Sequence, residues 1–282
     1  TKTLSLSPGF VEAHHNLGNA LSEIGKLDEA KDALLKTVLL KPDYAEAHYN
    51  LGNISKKQVV KLASGFTSAC KEFNLKLLGG DTNEGKEIVI HSVLFGLPGK
   101  IIPRNGAKVG DMIITTGPFG YPAAALDIMG KKRTTTKKFL TKSKKLFSRP
   151  IPRLKFGYLS RNLISSSMDS SDGLSTCLNE LSDQSKKQFV ITKLPVNSDL
   201  IDFSRKNQLK FEKFVLNGGE EFELVCTVSP KNLSKVYKIA KKNKINIFEI
   251  GYVRKGKKVV FAKNGKYSTI SDKGWKHFQR NS

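Results

Sequence analysis

Apolar positions recur at helical spacing in the first fifty residues and at mixed spacing afterwards, and the predicted elements follow that change. Pro8-Gly9-Phe10-Val11-Glu12-Ala13-His14-His15-Asn16-Leu17-Gly18-Asn19 returns 34 residues later as Pro42-Asp43-Tyr44-Ala45-Glu46-Ala47-His48-Tyr49-Asn50-Leu51-Gly52-Asn53. Each unit predicts two amphipathic helices, here Val11 to Ile24 and Leu27 to Leu40. Gly25 breaks the chain between them, and the small Gly18 and Ala30 allow the helices to touch.

Beyond Asn53 the period vanishes. Val59, Leu62, Phe66, Cys70 and Phe73 continue a helical pattern, while Leu75-Lys76-Leu77-Leu78, Ile88 to Gly96 and Met112 to Thr116 read as strands. Gly117-Pro118-Phe119-Gly120 opens an Ala-rich helix, Lys131 to Lys145 is a basic solvated helix or linker, and Pro150-Ile151-Pro152-Arg153 starts another helix. Leu163-Ile164 leads into Met168-Asp169-Ser170-Ser171-Asp172-Gly173-Leu174, after which Leu174, Leu178 and Leu181 fall at i, i+4 and i+7. That predicts a strand turning into a helix with Ser171 as N-cap and Asp172 in the first turn. A strand near Phe189 to Thr192 and a helix near Asp199 to Lys206 follow. Phe222, Leu224 and Cys226 then alternate with Glu221, Glu223 and Val225, as in a strand with one buried face. A helix over Leu233 to Lys242 and strands over Ile245 to Val253 and Lys258 to Ala262 complete the set. Helices and strands mix without strict alternation, so the predicted class is α+β.

Composition narrows the picture. The chain has 282 residues, 39% of them hydrophobic, enough to bury a real core. Its formal charge is +23, but Lys supplies most of the basic residues and is dispersed rather than gathered on one predicted face. A solvated Lys-rich surface is expected, with no nucleic-acid partner. Cys70, Cys177 and Cys226 are odd in number and far apart, which indicates neither a disulfide framework nor a zinc site and fits a reducing cytoplasm. No signal peptide is visible, and the longest apolar run, interrupted by His91, is too short to span a bilayer. The chain begins at Thr1 rather than Met, so its natural start is expected upstream. His14, His15 and His48 occupy repeat positions and are expected to be surface or packing residues rather than metal ligands.

Two turns carry the candidate chemistry. Asp169 and Asp172, with Ser171 between them, gather hard oxygen ligands of the kind a magnesium ion on a polyphosphate needs. Gly79-Gly80-Asp81-Thr82 pairs glycines that let backbone N–H groups approach phosphate with a carboxylate able to reach a metal. Neither a Walker lysine loop nor a protein-kinase signature is present.

The 34-residue period, with Leu17-Gly18, Ala30, Leu34 and the closing Pro42, resembles the tetratricopeptide repeat. The later stretches Gly79 to Thr82, Arg104-Asn105-Gly106-Ala107 with Gly110-Asp111, Thr116-Gly117, Pro150 to Arg153, Asp169 to Leu174, Gly218-Gly219-Glu220-Glu221-Phe222-Glu223-Leu224, and Lys273-Gly274-Trp275-Lys276-His277-Phe278 follow in order. Together they resemble the thiamine-monophosphate kinase family of the aminoimidazole ribonucleotide synthetase-like superfamily. The resemblance implies ATP-dependent phosphorylation of thiamine monophosphate to thiamine diphosphate, with Mg2+. It implies catalytic roles for Asp81 and Asp172, and ATP contacts from Gly80, Asp81, Arg104 and Ser171. It further implies substrate contacts from Glu220 and Trp275, and magnesium ligation by Asp81, Asp169 and Asp172.

The implied architecture is an α+β fold with a mixed sheet of the synthetase-like type, divided as a truncated repeat segment (1–53), a remnant of an ATP- and metal-binding domain (54–149) and a C-terminal synthetase-like domain (150–282). The family carries Asp where this chain has Glu221, and acidic character survives. The family is homodimeric, and its N-terminal half, with further metal-binding aspartates and much of the dimer interface, is replaced here by the repeat segment. A catalytically incomplete nucleotide-binding domain on a repeat scaffold that takes a protein partner is therefore the second expectation.

Overall fold

The computed structural model describes residues 9–82, 89–97 and 99–274, the side chains of 53–55 excepted. They form two compact units, Thr1–Ser92 and Val93–Ser282.

The first unit is helical: α1 (Val11–Glu23), α2 (Leu27–Leu40) and α3 (Ala45–Phe73). Gly18 faces Leu34 so closely that a Cβ there would lie 2.6 Å from Leu34 Cγ, and Ala30, Leu34 and Ala47 are fully buried. Small residues at the repeat positions thus let α1 and α2 touch. His15 is a packing residue, buried beside the Tyr44 ring (centroids 5.0 Å apart) and held by Asn19 and Asn50. Helix α3 runs unbroken from the second repeat copy to its left-handed cap at Asn74 (φ 52°). The helical spacing predicted from Val59 onward is therefore realised, but Val59, Leu62 and Phe66 remain exposed.

Two expected strands do not form. Residues 75–78 and 89–96 have no regular secondary structure and are exposed; Ile88 lies outside the described residues. Among the described residues nothing pairs with either stretch, and a lone apolar run has no means of satisfying its backbone as a strand.

The second unit carries a seven-stranded sheet in the order β2-β4-β1-β5-β3-β6-β7. The strands are β1 (Met112–Thr115), β2 (Ile164–Asp169), β3 (Gln188–Ile191), β4 (Leu224–Val228), β5 (Phe248–Arg254), β6 (Val259–Lys263) and β7 (Lys266–Thr269). All pairs are antiparallel except β3 with β6, so the sheet is mixed and the class is α+β. Helices cover both faces. On one face α4 (Tyr121–Gly130), α5 (Lys137–Ser148), α7 (Leu174–Ser185), α8 (Ser198–Lys206) and α9 (Phe211–Asn217) bring Tyr121, Phe139, Leu178, Phe203 and Val215 onto Ile113, Val225 and Ile250. On the other, α6 (Leu154–Ser160) and α10 (Pro230–Lys242) bring Phe156, Val236 and Ala240 onto Ile114, Cys226 and Val228.

This two-sided cover corrects the one-faced strand expected at 221–226. β4 starts only at Leu224 and is buried on both faces over Val225–Val228. Residues 218–223 form a loop in which Glu220 (φ 69°) and Phe222 (φ 50°) adopt left-handed backbone. The basic stretch after Lys131 also proves amphipathic, since Phe139 and Ser143 of α5 are buried and Lys142 pairs with Asp199 at 2.7 Å.

Candidate functional site

The site is assembled where two loops meet. Strand β2 ends at Asp169, opposite Leu224. From there the chains stay zipped through their backbones: Ser170 N donates to Glu223 O (2.9 Å), Phe222 N to Ser170 O (2.8 Å) and Glu220 N to Ser171 O (2.8 Å). Glycines permit this approach. A Cβ on Gly173, which sits at φ +113°, would lie 2.5 Å from Gly218 O, and one on Gly219 would overlap Ser171 O. The result brings Asp169, Ser171, Asp172 and Glu220 to one place: Asp169 and Glu220 exposed, Ser171 and Asp172 half-buried.

Helix α7 begins two residues later than a Ser171 cap would place it. Its N-cap is Gly173, without a side-chain cap, and Ser171 Oγ donates to Asp172 Oδ2 at 2.8 Å instead. The extended, positive-φ backbone of Gly173 delays the helix and leaves the Ser171 hydroxyl two residues ahead of it. The chain's last described segment lies on the first turn of α7: Lys273 N donates to Ser175 Oγ (3.3 Å) and Thr176 Oγ1 to Asp272 Oδ1 (2.7 Å). Trp275 lies outside the described residues.

Three further expected residues lie outside these two loops. Arg104 is exposed; its carbonyl accepts from Ser185 Oγ (3.2 Å) and its guanidinium lies 3.7 Å from Glu180, both on the C-terminal half of α7. At about 1.5 Å rise per residue, Glu180 lies roughly 12 Å and Ser185 roughly 20 Å along α7 from Asp172. Gly80 and Asp81 belong to the first unit, exposed and without regular structure.

Sequence reasoning missed the buried framework behind the loop. Glu223 is almost fully buried and accepts from Arg153 Nε (2.7 Å), from Arg153 NH2 and from Thr116 Oγ1 (2.6 Å). Thr116 Oγ1 also accepts from Leu224 N at 2.9 Å. Glu223 thereby ties three separate motifs, Thr116-Gly117, Arg153 and the Gly218–Leu224 stretch, to one point. Glu221 is likewise buried; its Oε1 accepts from Gly120 N at 3.0 Å, and its Oε2 has no hydrogen-bond partner among the described residues. Burial, with the Glu223 and Glu220 charges adding, pushes Glu221 up to about 8, against the opposing Gly120 N–H. Burial, and then the Asp169, Glu221 and Asp172 charges, push the Cys177 thiol up to about 12. The only signal in the sequence was that Glu221 and Glu223 alternate with Phe222 and Leu224 beside a glycine pair.

Among the described residues no Lys or Arg pairs with Asp169 or Asp172, and no three His, Cys, Asp or Glu side chains converge as a metal-binding group. Two carboxylates still fit Mg2+, which takes one or two protein carboxylates and completes its shell with water and substrate phosphates.

Known proteins share this fold. Residues 108–263, more than half of the chain, match the family described as AIR synthase related protein, C-terminal domain. A thiamine-monophosphate kinase of Nitrosopumilus maritimus is 47% identical over 226 residues, spanning 80% of this chain and 72% of that relative. The chain belongs to the thiamine-monophosphate kinase family. The thiamine-monophosphate kinase of Pyrococcus horikoshii is 32% identical over 79% of this chain and 68% of that relative. Among solved structures, AaThiL complexed with AMPPCP and TMP superposes with a TM-score of 0.53 at 27% identity, covering 63% of this chain and 54% of that one. The tt0281 protein of Thermus thermophilus gives 0.59 at 28% identity, covering 72% of this chain and 65% of that one. The chain therefore spans little more than half of the AaThiL chain. Residues 18–59 match the TPR repeat and 1–32 the tetratricopeptide repeat, in keeping with the helical first unit.

Proposed function

We propose that this chain is an ATP-dependent phosphotransferase that converts thiamine monophosphate to thiamine diphosphate. The observation that carries the reading is the backbone zipper that sets Glu220 beside the Asp169–Asp172 turn. The relatives' names and the AMPPCP and TMP complex of AaThiL support the same chemistry.

The acceptor oxygen belongs to a phosphate monoester whose second pKa is about 6, so at neutral pH it is already ionised and needs no general base. The residues must instead hold two anions in line and screen their repulsion. Asp169 and Asp172 would hold Mg2+, and the resemblance adds Asp81 to that ligand set. That ion supplies charge neutralisation on the polyphosphate. Gly80, Asp81, Arg104 and Ser171 would contact ATP, with Asp81 and Asp172 at the reacting end, and Glu220 and Trp275 would contact thiamine monophosphate. Glu223 engages both Nε and NH2 of Arg153, which fixes the orientation of its guanidinium.

The test is direct: the purified full chain with ATP, Mg2+ and thiamine monophosphate should accumulate thiamine diphosphate, and absence of product overturns the reading. A second reading, nucleotide binding without transfer on a repeat scaffold, is favoured by the match of residues 18–59 to the TPR repeat. It predicts calorimetric binding of magnesium-ATP with no product, and retention of a protein partner by the repeat segment.

A further inference from the structure

The loop that carries Glu220 is held in a conformation its sequence does not favour. Glu220 and Phe222 both have positive φ, at 69° and 50°, although neither is glycine. Non-glycine residues in this region are strained, and such strain persists only where the surroundings over-determine it. Here the two strained residues point their N–H groups the same way, to Ser171 O and Ser170 O. Glu221, between them, points inward and reaches a different segment, Gly120 N, across 3.0 Å. Gly120 itself has φ +97° and leads directly into the buried Tyr121 of α4. The Glu221 carboxyl is thus the one contact of the 220–222 triplet, among the described hydrogen bonds, made to the α4 side of the site rather than to the Asp169–Asp172 turn.

We propose that Glu221 is a positioning residue for Glu220: its buried carboxyl, fixed by the Gly120 N–H, maintains the left-handed turn that presents Glu220 to the phosphate acceptor. The proposal rests on the reading of Glu220 as a substrate contact. Two independent observations agree with an anchoring role. The side chain is 8% exposed, so it has no access to solvent as an alternative partner. Its titratable neighbours are Glu220 and Glu223 on the same segment and Cys177 on α7, and Arg153 beside them is paired with Glu223; among the described residues Glu221 is therefore not half of an ion pair, and burial favours its protonated, hydrogen-bonding form. A carboxylic acid in this state is mimicked by an amide, which keeps the carbonyl acceptor for Gly120 N–H.

The experiment compares E221Q with E221L, and with E221M should E221L not fold, in steady-state kinetics of the full chain with thermal unfolding alongside. E221L leaves the buried Gly120 N–H unpaired and frees the turn, so KM for thiamine monophosphate should rise about tenfold while KM for ATP stays within about twofold. E221Q should restore KM for thiamine monophosphate to near the wild-type value. A merely structural role would move both KM values together or neither, and that result overturns the proposal, as does an E221Q variant as impaired as E221L. If the wild-type chain neither binds nor phosphorylates thiamine monophosphate, the proposed function falls and takes this proposal with it. An active wild-type chain whose E221L variant discriminates normally removes the positioning role alone.

Discussion

Replacing Gly219 by Ala tests the zipper that builds the site. A Cβ at this position would sit well inside the 3.0 Å that real Cβ atoms keep from other heavy atoms, and the atom it meets is the backbone oxygen of Ser171, which cannot rotate away. The φ of Gly219 is not in the left-handed region, so the perturbation is steric rather than conformational. Relief requires the 218–223 loop to lift from the Asp169–Asp172 turn, stretching the 2.8 Å bonds from Glu220 N and Phe222 N. Overpacking of this kind costs about 1–3 kcal/mol, which for a unit of this size is roughly a 3–10 °C fall in Tm. A shift of about 1 Å in Glu220 should lower kcat/KM on the order of 100-fold. The assay pairs thermal unfolding with steady-state kinetics, using Gly130→Ala as control, because nothing lies within 4 Å of a Cβ there. A G219A variant with wild-type Tm and wild-type kcat/KM would show that the two loops are not held as described.

Arg153→Met leaves Glu223 buried and without its cation, so unfolding free energy measured in urea should fall by about 3–5 kcal/mol; the Lys variant, which cannot form the same fork, should recover only part of it. Glu221 takes up its proton more readily in the folded chain, with its acid constant moved from the usual carboxylate range to about 8. Its contribution is therefore complete in acid and is lost as pH rises toward 8, so the urea midpoint should decline between about pH 5 and pH 8.5, and E221Q should flatten that slope. Asp169→Asn and Asp172→Asn remove charge at exposed and half-buried positions; Tm should change by less than about 2 °C, while product formation in saturating Mg2+ falls at least about 100-fold.

Local signals were legible wherever local order suffices. The Leu174, Leu178 and Leu181 spacing located α7, and the lead-in at Leu163-Ile164 located β2. The repeat positions gave α1 and α2 nearly to the residue. What could not be read depended on partners. Leu75 to Leu78 is a short apolar run with nothing to pair with among the described residues, whereas the short β7 forms because β6 lies beside it. The inward turn of Glu221 and Glu223 follows from helices covering both faces of the sheet, and from Thr116, Arg153 and Gly120, which lie from 70 to over 100 residues away in the chain. Ser171 looked like a cap because the Gly173 backbone angle that displaces the helix start leaves no trace in residue type beyond glycine itself.

The strand order has a kinetic cost during synthesis. β1 lies between β4 and β5, and its first neighbour is reached only when Ile114 meets Cys226, more than a hundred residues later. At ribosomal rates of about 5–20 residues per second, the emerging β1 waits roughly 5–20 s with both edges open. A chain cut short before Leu224 therefore exposes a buried apolar strand with nothing to cover it, and should be handed to chaperones or proteases rather than persist as a half-built sheet.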